Sequence, residues 1–278
     1  MMNLFHNMSR RCGRVVTECY STSFASSVRL LHRDLRDAIY SIYGFVRLTD
    51  EIVDTFHHHN KPKLLSGFRL QTYSAIEEGI SLNPILHGFQ LTVKQYDIDT
   101  NLIEAFFTSM ETDLYETRHD PSSYSRYIFG SAEAVGLMCL RVFCEGEDAL
   151  YSRLASYARS LGSAFQKVNF LRDLGADYHQ LERSYFPGLS GGVLTESAKR
   201  EIEKDILADF QHAEQGIHQL PVKARLGVYV AYKYYVSLFK KIQATAPMNI
   251  FEQRIRVPNY RKWFILLSAS LHHQLNQS

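Results

Sequence analysis

Apolar residues recur along most of the chain at the spacing of an α-helix. Between residues 34 and 54 they fall on one side of a helix, at Leu35, Ile39, Ile42, Val46 and Val53. No segment alternates apolar and polar residues between Asn-Gly or Asp-Gly turns, which is the pattern typical of a β-hairpin. The pattern predicts an all-α protein, and 278 residues suit one domain over residues 1–278. We expect residues 1–14 to form a flexible N-terminal segment.

Two of the predicted helices carry a row of polar side chains beside the apolar one. On the first helix, about residues 34–54, the row consists of Tyr43, Arg47, Asp50 and Asp54. On the second helix, about residues 151–179, it consists of Gln166, Asn169, Asp173 and Asp177. At ~100° per residue each row stays on one side of its helix, next to apolar residues. We therefore predict that both rows face an interior cavity rather than open water.

A third predicted helix, about residues 122–143, combines a tyrosine with a run of small residues. Tyr127 precedes Gly130, Ser131, Ala132, Ala134 and Gly136. Glycine inside a helix costs ~1 kcal/mol relative to alanine, so the run needs a reason. A ligand that approaches the helix closely and tight packing against another helix explain it equally well.

The spacing of the acidic residues points to a metal site. Asp50 and Asp54 are four residues apart, as are Asp173 and Asp177, and like charges at that spacing destabilise a helix. A bound cation relieves this repulsion, and Mg²⁺, or Mn²⁺ in its place, prefers oxygen ligands and phosphate. A lone acidic pair is usually solvated, so the interpretation depends on finding two. Two arginines beside the pairs, at 47 and 172, are suited to bind phosphate oxygens.

Composition excludes several other classes of protein. The formal net charge is +2 without a clustered Lys/Arg segment, which argues against a nucleic-acid partner. Four scattered cysteines without metal-type spacing favour a reducing compartment, and His57, His58 and His59 are predicted to lie in a solvated loop. No continuous apolar run reaches the ~18–20 residues that span a bilayer, and the first residues lack the apolar core of a secretory signal. We expect a cytoplasmic protein that contacts membranes peripherally.

Four motifs go beyond pattern and resemble the squalene/phytoene synthase family. They are Tyr20-Ser-Thr-Ser-Phe24, the segment from Tyr43 to Asp54, the segment from Gln166 to Asp177, and Arg183-Ser-Tyr185-Phe-Pro187. The likeness extends to residues 235–242 and 254–257 and covers about residues 15–265. It implies a helical bundle of the isoprenoid synthase type around a central apolar tunnel.

The resemblance also implies roles for individual residues. Metal ligands would be Asp50, Glu51, Asp54, Asn169, Asp173 and Asp177. Phosphate oxygens would be bound by Ser21, Ser23, Arg47, Arg172 and Arg254. The reaction centre would be lined by Tyr43, Tyr127 and Tyr235. Further substrate contacts would come from Gln166, Arg183, Tyr185, Phe24 and Val28. Thr22 departs from the family, because some relatives have lysine there.

Relatives of this kind join two identical prenyl diphosphates head to head. Three observations favour two geranylgeranyl diphosphates and the product phytoene, made through a cyclopropylcarbinyl (prephytoene) diphosphate. The first motif reads Asp-Glu-Ile-Val-Asp, as is familiar in phytoene synthases. We also expect the chain to lack the C-terminal membrane anchor of eukaryotic squalene synthases, and Val28 stands where a C30-forming relative carries a bulkier aromatic.

Two alternatives stay open beside phytoene synthesis. One is a squalene or dehydrosqualene synthase that uses two farnesyl diphosphates. The other is a non-catalytic assembly factor with the same fold. We expect no use of NADPH, and the sequence has no glycine-rich dinucleotide fingerprint, although squalene synthases bind NADPH without one.

Overall fold

A computed structural model describes residues 2–181, 183–187, 189, 194–252 and 254–258, with the side chains of residues 180 and 181 excepted. Within these residues the protein is all-α, as the sequence predicted, and an isolated bridge joins Arg118 to Ser184. The helices of the described part are α1 (Met2–Tyr20), α2 (Thr22–Val28), α3 (Arg33–Asp54), α4 (Lys61–Glu78), α5 (Pro84–Tyr96), α6 (Thr100–Tyr115), α7 (Pro121–Ile128), α8 (Ala134–Cys144), α9 (Asp148–Leu181), α10 (Glu196–Ile217), α11 (Val222–Gln243) and α12 (Pro247–Glu252).

The ends of the helices follow from capping residues in the sequence. Asn83 accepts hydrogen bonds from two backbone N–H groups at the start of α5, and Pro84 fits the first turn because it lacks an N–H. Asp120 and Ser123 bond each other's backbone in a capping box that starts α7. Gly79 ends α4 with a φ of 76°, a conformation that glycine adopts without strain.

Helix α1 corrects the expectation of a flexible N-terminal segment. Residues 2–14 belong to this helix, which packs against α3 and α5 through the buried Ser9, Gly13 and Thr17. A Cβ at Gly13 would lie 2.8 Å from the carbonyl oxygen of Tyr40, so glycine allows the two helices to approach closely. The segment looked irregular because its buried positions are small and polar rather than apolar.

The third predicted helix consists of three parts. A π-helical turn, Phe129–Glu133, joins α7 to α8. The small residues pack against neighbouring helices: a Cβ at Gly136 would lie 2.8 Å from the carbonyl oxygen of Ala158. A Cβ at Gly162 of α9 would lie 2.6 Å from the carbonyl oxygen of Ala132. Tight helix packing is therefore part of the reason for the run of small residues, and Ala132 and Gly136 also line a cavity described below.

The stretch Pro121–Cys144 is long and apolar enough to cross a bilayer by length and composition alone, although it contains no continuous apolar run of that length. An 18-residue window within its 24 residues has a mean hydropathy of 1.4. Some 61% of the apolar window is buried inside the protein, as in the core helix of a soluble fold. The expectation was based on uninterrupted apolar runs, and the polar residues at 126, 133 and 141 interrupt this one.

The core lies on both sides of α3. On one side Phe45 is fully buried and stacks on Phe89 of α5, with ring centroids 3.9 Å apart. On the other side α3 packs on α8, and α8 packs on α9, the longest helix described, which also packs on α10. The polar rows of α3 and α9 lie between these packed layers. The three histidines His57–His59 are exposed in the connection from α3 to α4, as predicted.

Candidate active site

The structure brings the two predicted polar rows together. Asp177 on α9 has its pKa raised to about 7, first by burial and then by the negative charges of Asp173 and Asp54. One residue contacts both rows: the backbone N–H of Arg183 donates to the carbonyl oxygen of Asp177 at 3.0 Å, and its side chain donates to Asp54 on α3 at 2.7 Å. Asp50 likewise has its pKa raised to about 7 by burial and by the charge of Asp54. This repulsion between carboxylates is the reason why the acidic spacing in the sequence predicts a bound cation.

Arg47 binds the carboxylates of the first row. Its guanidinium donates to Asp50 at 2.5 Å and also to Glu51, which is 8% exposed. The same guanidinium lies over the ring of Tyr20, with 4.4 Å from its carbon to the ring centroid. Arg47 thereby joins the end of α1 to the acidic end of α3.

Two arginines converge on Asp173 in the second row. Arg172 donates to both carboxylate oxygens, at 3.0 and 2.5 Å, and Nε of Arg254 lies 2.7 Å from one of them. Asn169, one turn earlier, accepts a hydrogen bond from the hydroxyl of Tyr235 at 3.3 Å. The arginines predicted to bind phosphate therefore lie at the acids, and their role towards phosphate stays a prediction.

Arg183 connects the segment that follows α9 to the first row. Its Nη1 donates to Asp54 at 2.7 Å, although 129 residues separate the two. Its Nη2 donates to the backbone carbonyl of Asp113 at 2.8 Å, and Tyr185 lies 3.2 Å from Nη1. The side chain of Arg183 is 7% exposed, so a buried positive charge lies directly behind the acidic site.

Sequence reasoning missed one acidic residue of this region. Asp113 on α6 has a side chain that is 4% exposed and accepts hydrogen bonds from the hydroxyls of Tyr127 at 2.6 Å and Tyr185 at 3.2 Å. Burial raises its pKa to about 7. A single aspartate in the string Met-Glu-Thr-Asp-Leu has no spacing that would have identified it.

An apolar cavity of about 290 Å³ extends from the acidic rows into the bundle. The polar side chains of Tyr43, Gln166 and Tyr235 lie in its wall. On α3 the lining reaches Val46, one turn before Asp50, and on α9 it reaches Gln166, two turns before Asp173. Along α9 the lining continues from Gln166 to Leu154, about 18 Å at 1.5 Å per residue. The cavity corresponds to the tunnel that the resemblance implied.

The aromatic residues in the wall are held by stacking. Tyr43 stacks on Phe24 with ring centroids 4.9 Å apart, and Tyr235 stacks on Phe165 at 3.8 Å. Burial raises the pKa of Tyr43 to about 12, so its hydroxyl stays protonated at neutral pH. Phe24 and the fully buried Val28 also line the cavity, which is where the sequence placed them.

Other predicted residues lie elsewhere. Tyr127 is not among the residues that line the cavity, because its hydroxyl is bound to Asp113 in a buried cluster with Tyr185. Its predicted role at the reaction centre stays a prediction. Ser21 caps α2 by accepting from the backbone N–H of Phe24 at 3.3 Å. Ser23 is half-buried in the first turn of α2, while Thr22, which departs from the family pattern, is exposed.

The donor set fits a hard divalent cation. Within the described residues no three side chains of His, Cys, Asp or Glu form a preassembled metal site. The candidates instead come as a carboxylate pair on each helix, with Glu51 and Asn169 beside them, and all of them offer oxygen. Mg²⁺ typically uses one or two carboxylates and completes its shell with phosphate oxygens and water. The half-buried acids with raised pKa values, Asp50 and Asp177, would gain most from such a cation.

Facing acidic helices at the mouth of an apolar cavity, in an all-α bundle, define a synthase of the isoprenoid type. Residues 17–189 match the family described as squalene/phytoene synthase, and the chain belongs to that family. The resemblance inferred from the motifs is thus confirmed.

Individual relatives agree with this assignment. The chain is 28% identical over 275 residues to phytoene synthase 2, chloroplastic, of Solanum lycopersicum, a match that covers 92% of this chain and 87% of that protein. It is also 28% identical to phytoene synthase 1, chloroplastic, of Zea mays, covering 92% of this chain and 66% of that protein.

Solved structures share the fold at lower identity. A dehydrosqualene synthase in complex with a ligand superposes with a TM-score of 0.82 at 17% identity, over 97% of this chain and 98% of that one. A squalene synthase from Alicyclobacillus acidocaldarius gives a TM-score of 0.74 at 18% identity, over 86% and 94% of the two chains.

Proposed function

We propose that the protein joins two prenyl diphosphates head to head, and that geranylgeranyl diphosphate is the substrate and phytoene the product. The observation that carries this proposal is the arrangement of two carboxylate rows, on α3 and α9, at the mouth of one apolar cavity. Charged groups there suit the diphosphates, and the cavity suits the hydrocarbon chains.

The first step is loss of diphosphate from one substrate. The C1–O bond breaks, and its electron pair leaves with the diphosphate. When bound between the carboxylates, Mg²⁺ or Mn²⁺ supplies Lewis-acid stabilisation of this leaving group. Arg47, Arg172 and Arg254 lie at the acids and are placed to donate hydrogen bonds to its oxygens.

The allyl cation that remains needs protection from water. The cavity wall next to the acids is apolar apart from a few groups, so water is excluded from the cation. The rings of Tyr43 and Tyr235 stabilise a nearby positive charge by about 0.5–2 kcal/mol each. Because the Tyr43 hydroxyl stays neutral, it is a poor nucleophile towards the cation.

Carbon–carbon bonds then form within the cavity. The double bond of the second substrate attacks C1 of the cation, and loss of one proton closes a cyclopropane, which gives prephytoene diphosphate. A second ionisation releases the second diphosphate. Rearrangement and loss of another proton give phytoene without a reductant, so NADPH is not required.

The choice of the C20 substrate is supported by two observations. The plant relatives reported above are named phytoene synthases, and Val28 leaves space in the cavity wall where a larger residue would reduce it. A squalene or dehydrosqualene synthase that uses the C15 substrate is the second candidate, because the solved structures with the same fold carry those names.

Product analysis tests the proposal. The purified protein is incubated with C15 or C20 diphosphate, with Mg²⁺, with and without NADPH, and the extracts are separated by chromatography. We expect phytoene from the C20 substrate, independent of NADPH. C30 products without phytoene would assign the second candidate. Complete inactivity in excess Mg²⁺ would favour a non-catalytic assembly factor, which the presence of all four aspartates argues against.

The exposed face of α1 supports peripheral contact with anionic membranes from the cytoplasmic side. Leu4 is 77% exposed and Val15 58%, and both lie opposite the buried face of the helix. The exposed Arg11 and Arg14 flank them. Apolar side chains bordered by arginines are typical of helices that lie on a bilayer surface. The substrates and product are lipids, so this contact would keep the cavity close to their source.

A further inference from the structure

We infer that Asp113 is a positioning residue, which holds Arg183 behind the first acidic row and thereby sets the arrangement of Asp54 for metal and diphosphate. This inference rests on the proposed function. Asp113 touches neither the cavity nor the acidic rows themselves. It acts through the guanidinium that lies between it and Asp54.

The geometry forms a chain of contacts from α6 to α3. The carboxylate of Asp113 accepts hydrogen bonds from Tyr127 on one oxygen and from Tyr185 on the other. One nitrogen of Arg183 lies 3.8 Å from this carboxylate and 2.7 Å from the carboxylate of Asp54. A single guanidinium nitrogen is thus shared between a buried acid and an acid of the metal site.

The charge of Asp113 matters because Arg183 is buried. A guanidinium that is 7% exposed needs a negative partner, since an unpaired charge in such a place costs several kcal/mol. In the structure described, Asp54 and Asp113 share that role. When Asp54 binds a cation, Asp113 remains as the negatively charged partner of Arg183.

The segment that carries Arg183 is fixed at the same point. The N–H of Ser184 donates to the carbonyl oxygen of Thr117 at 2.8 Å, and the ring of Tyr185 stacks on Phe170 at 4.0 Å. These contacts place the backbone, whereas Asp113 supplies the charge. Without that charge, Arg183 would pair with Asp54 alone and compete with the cation for it.

The test compares Asp113→Asn with the wild-type protein. Asparagine keeps the size of the side chain and removes the charge. We expect the Mg²⁺ concentration for half-maximal product formation to rise about tenfold, with a smaller change in the rate at saturating Mg²⁺. We also expect the increase in unfolding temperature caused by Mg²⁺ plus inorganic diphosphate to shrink, while the unfolding temperature without ligand stays equal or rises.

Two further variants make the outcome decisive. Asp209→Asn is the matched control, because Asp209 is an acid of α10 that binds Ser163 and Lys167 away from the site. It should leave the Mg²⁺ requirement unchanged. Tyr127→Phe removes one hydrogen bond to Asp113 and keeps the charge, so it should shift the Mg²⁺ requirement in the same direction by less. It decides the question if Asp113→Asn does not fold.

The outcomes separate the two proposals. A wild-type protein that makes product, with Asp113→Asn and Tyr127→Phe matching its Mg²⁺ requirement, overturns the role of Asp113 and leaves the proposed function standing. A wild-type protein that neither makes product nor gains stability from Mg²⁺ and diphosphate overturns the proposed function, and the inference with it. An equal shift in Asp209→Asn would mean that loss of any acid paired with a buried base has this effect, which also overturns the inference.

Discussion

Gly175 on α9 lies directly against the carbonyl oxygen of Phe251 on α12, so closely that a Cβ at 175 would overlap the Phe251 backbone. The short helix α12 therefore packs onto α9 within one turn of both Asp173 and Asp177. Arg254 follows α12 and binds Asp173. A glycine inside α9 thus allows an arginine from the far end of the chain to reach the acidic site.

Gly175→Ala should weaken this arrangement. The added methyl group has to displace the backbone of α12, which typically costs about 1–3 kcal/mol of folding free energy. We expect a lower unfolding temperature and a higher KM for the diphosphate substrate, measured by thermal unfolding and steady-state kinetics.

Gly67→Ala provides the control for that substitution. Gly67 lies in α4, where a Cβ would meet nothing within 4 Å. Alanine there should stabilise the protein by about 0.5–1 kcal/mol and leave the kinetics unchanged. If Gly175→Ala behaved like Gly67→Ala, the close approach of α12 would have no functional role.

Asp50→Ala and Asp173→Ala should each abolish product formation and leave the fold intact. Each removes a carboxylate from one acidic row, and for Asp50 burial already penalises the charged form, so its loss need not destabilise the protein. Product analysis measures the loss of activity, and circular dichroism checks that the fold is intact. Asp34→Ala, at the exposed start of the same α3, is the control. Near-normal activity in Asp50→Ala or Asp173→Ala would contradict the metal assignment.

Val28→Phe should change the choice of substrate. Val28 is 2% exposed and lines the cavity, so a larger side chain there takes up space needed by the longer hydrocarbon. We expect the ratio of kcat/KM for C20 over C15 diphosphate to fall at least about tenfold. Leu70→Phe, at an exposed position of α4, should leave the ratio unchanged. An unaltered ratio in Val28→Phe would mean that another part of the cavity wall determines the length of the hydrocarbon chain that binds.

Acid should destabilise the contact between α1 and α5. Nδ1 of His6 lies 2.8 Å from Nε2 of the buried His87, and burial together with the charge of His6 lowers the pKa of His87. At His87 the unfolded chain then binds more protons than the folded one below about pH 6.5, so the contribution of His87 to stability is full above that pH and falls as pH decreases. Urea unfolding at pH 8 and pH 5.5 measures the difference.

Substitution of the buried histidine isolates its contribution. On going from pH 8 to pH 5.5, His87→Gln should gain stability relative to the wild type, because glutamine does not titrate. The acids with pKa values raised to about 7 oppose the effect of His87, but they act equally in both proteins. His58→Gln, in the exposed connection after α3, should leave the pH dependence unchanged. A pH dependence that is identical in His87→Gln and the wild type would assign it to other groups.

Leu4→Glu together with Val15→Glu should reduce binding to anionic vesicles. The double substitution places negative charges on the exposed face of α1, next to Arg11 and Arg14. Co-sedimentation with vesicles that contain phosphatidylserine measures binding, and added salt should weaken the wild-type interaction. Leu70→Glu, an exposed leucine of α4, is the control. Equal loss in the control would indicate a non-specific effect of charge.

The sequence predicted those parts of the site in which residues recur at helical spacing along one helix. Asp50 and Asp54, like Asp173 and Asp177, reveal a shared face because a helix returns to it every three or four residues. The bounds of α3 and α9 follow closely from the same periodicity. That the chain is all-α is confirmed by the described residues.

The sequence could not predict the contacts between distant segments. Arg183 and Asp54 are 129 residues apart, and Asp113 has no partner near it in sequence that would mark it as part of the site. The helical state of residues 2–14 was missed because the side chains that α1 buries are small and polar. In each case tertiary packing determines the structure, and such packing cannot be predicted from a local sequence pattern.

The inner end of the cavity has a consequence for turnover. Leu31, Leu154 and Leu220 line it there, and each is at most 5% exposed, so that end is covered by protein. Under the proposed function, a hydrocarbon formed inside would therefore have to leave by the path along which its precursors entered, past the charged side chains. Release of an apolar molecule into water is unfavourable, so we expect transfer into a bilayer or detergent micelle to limit the rate of turnover.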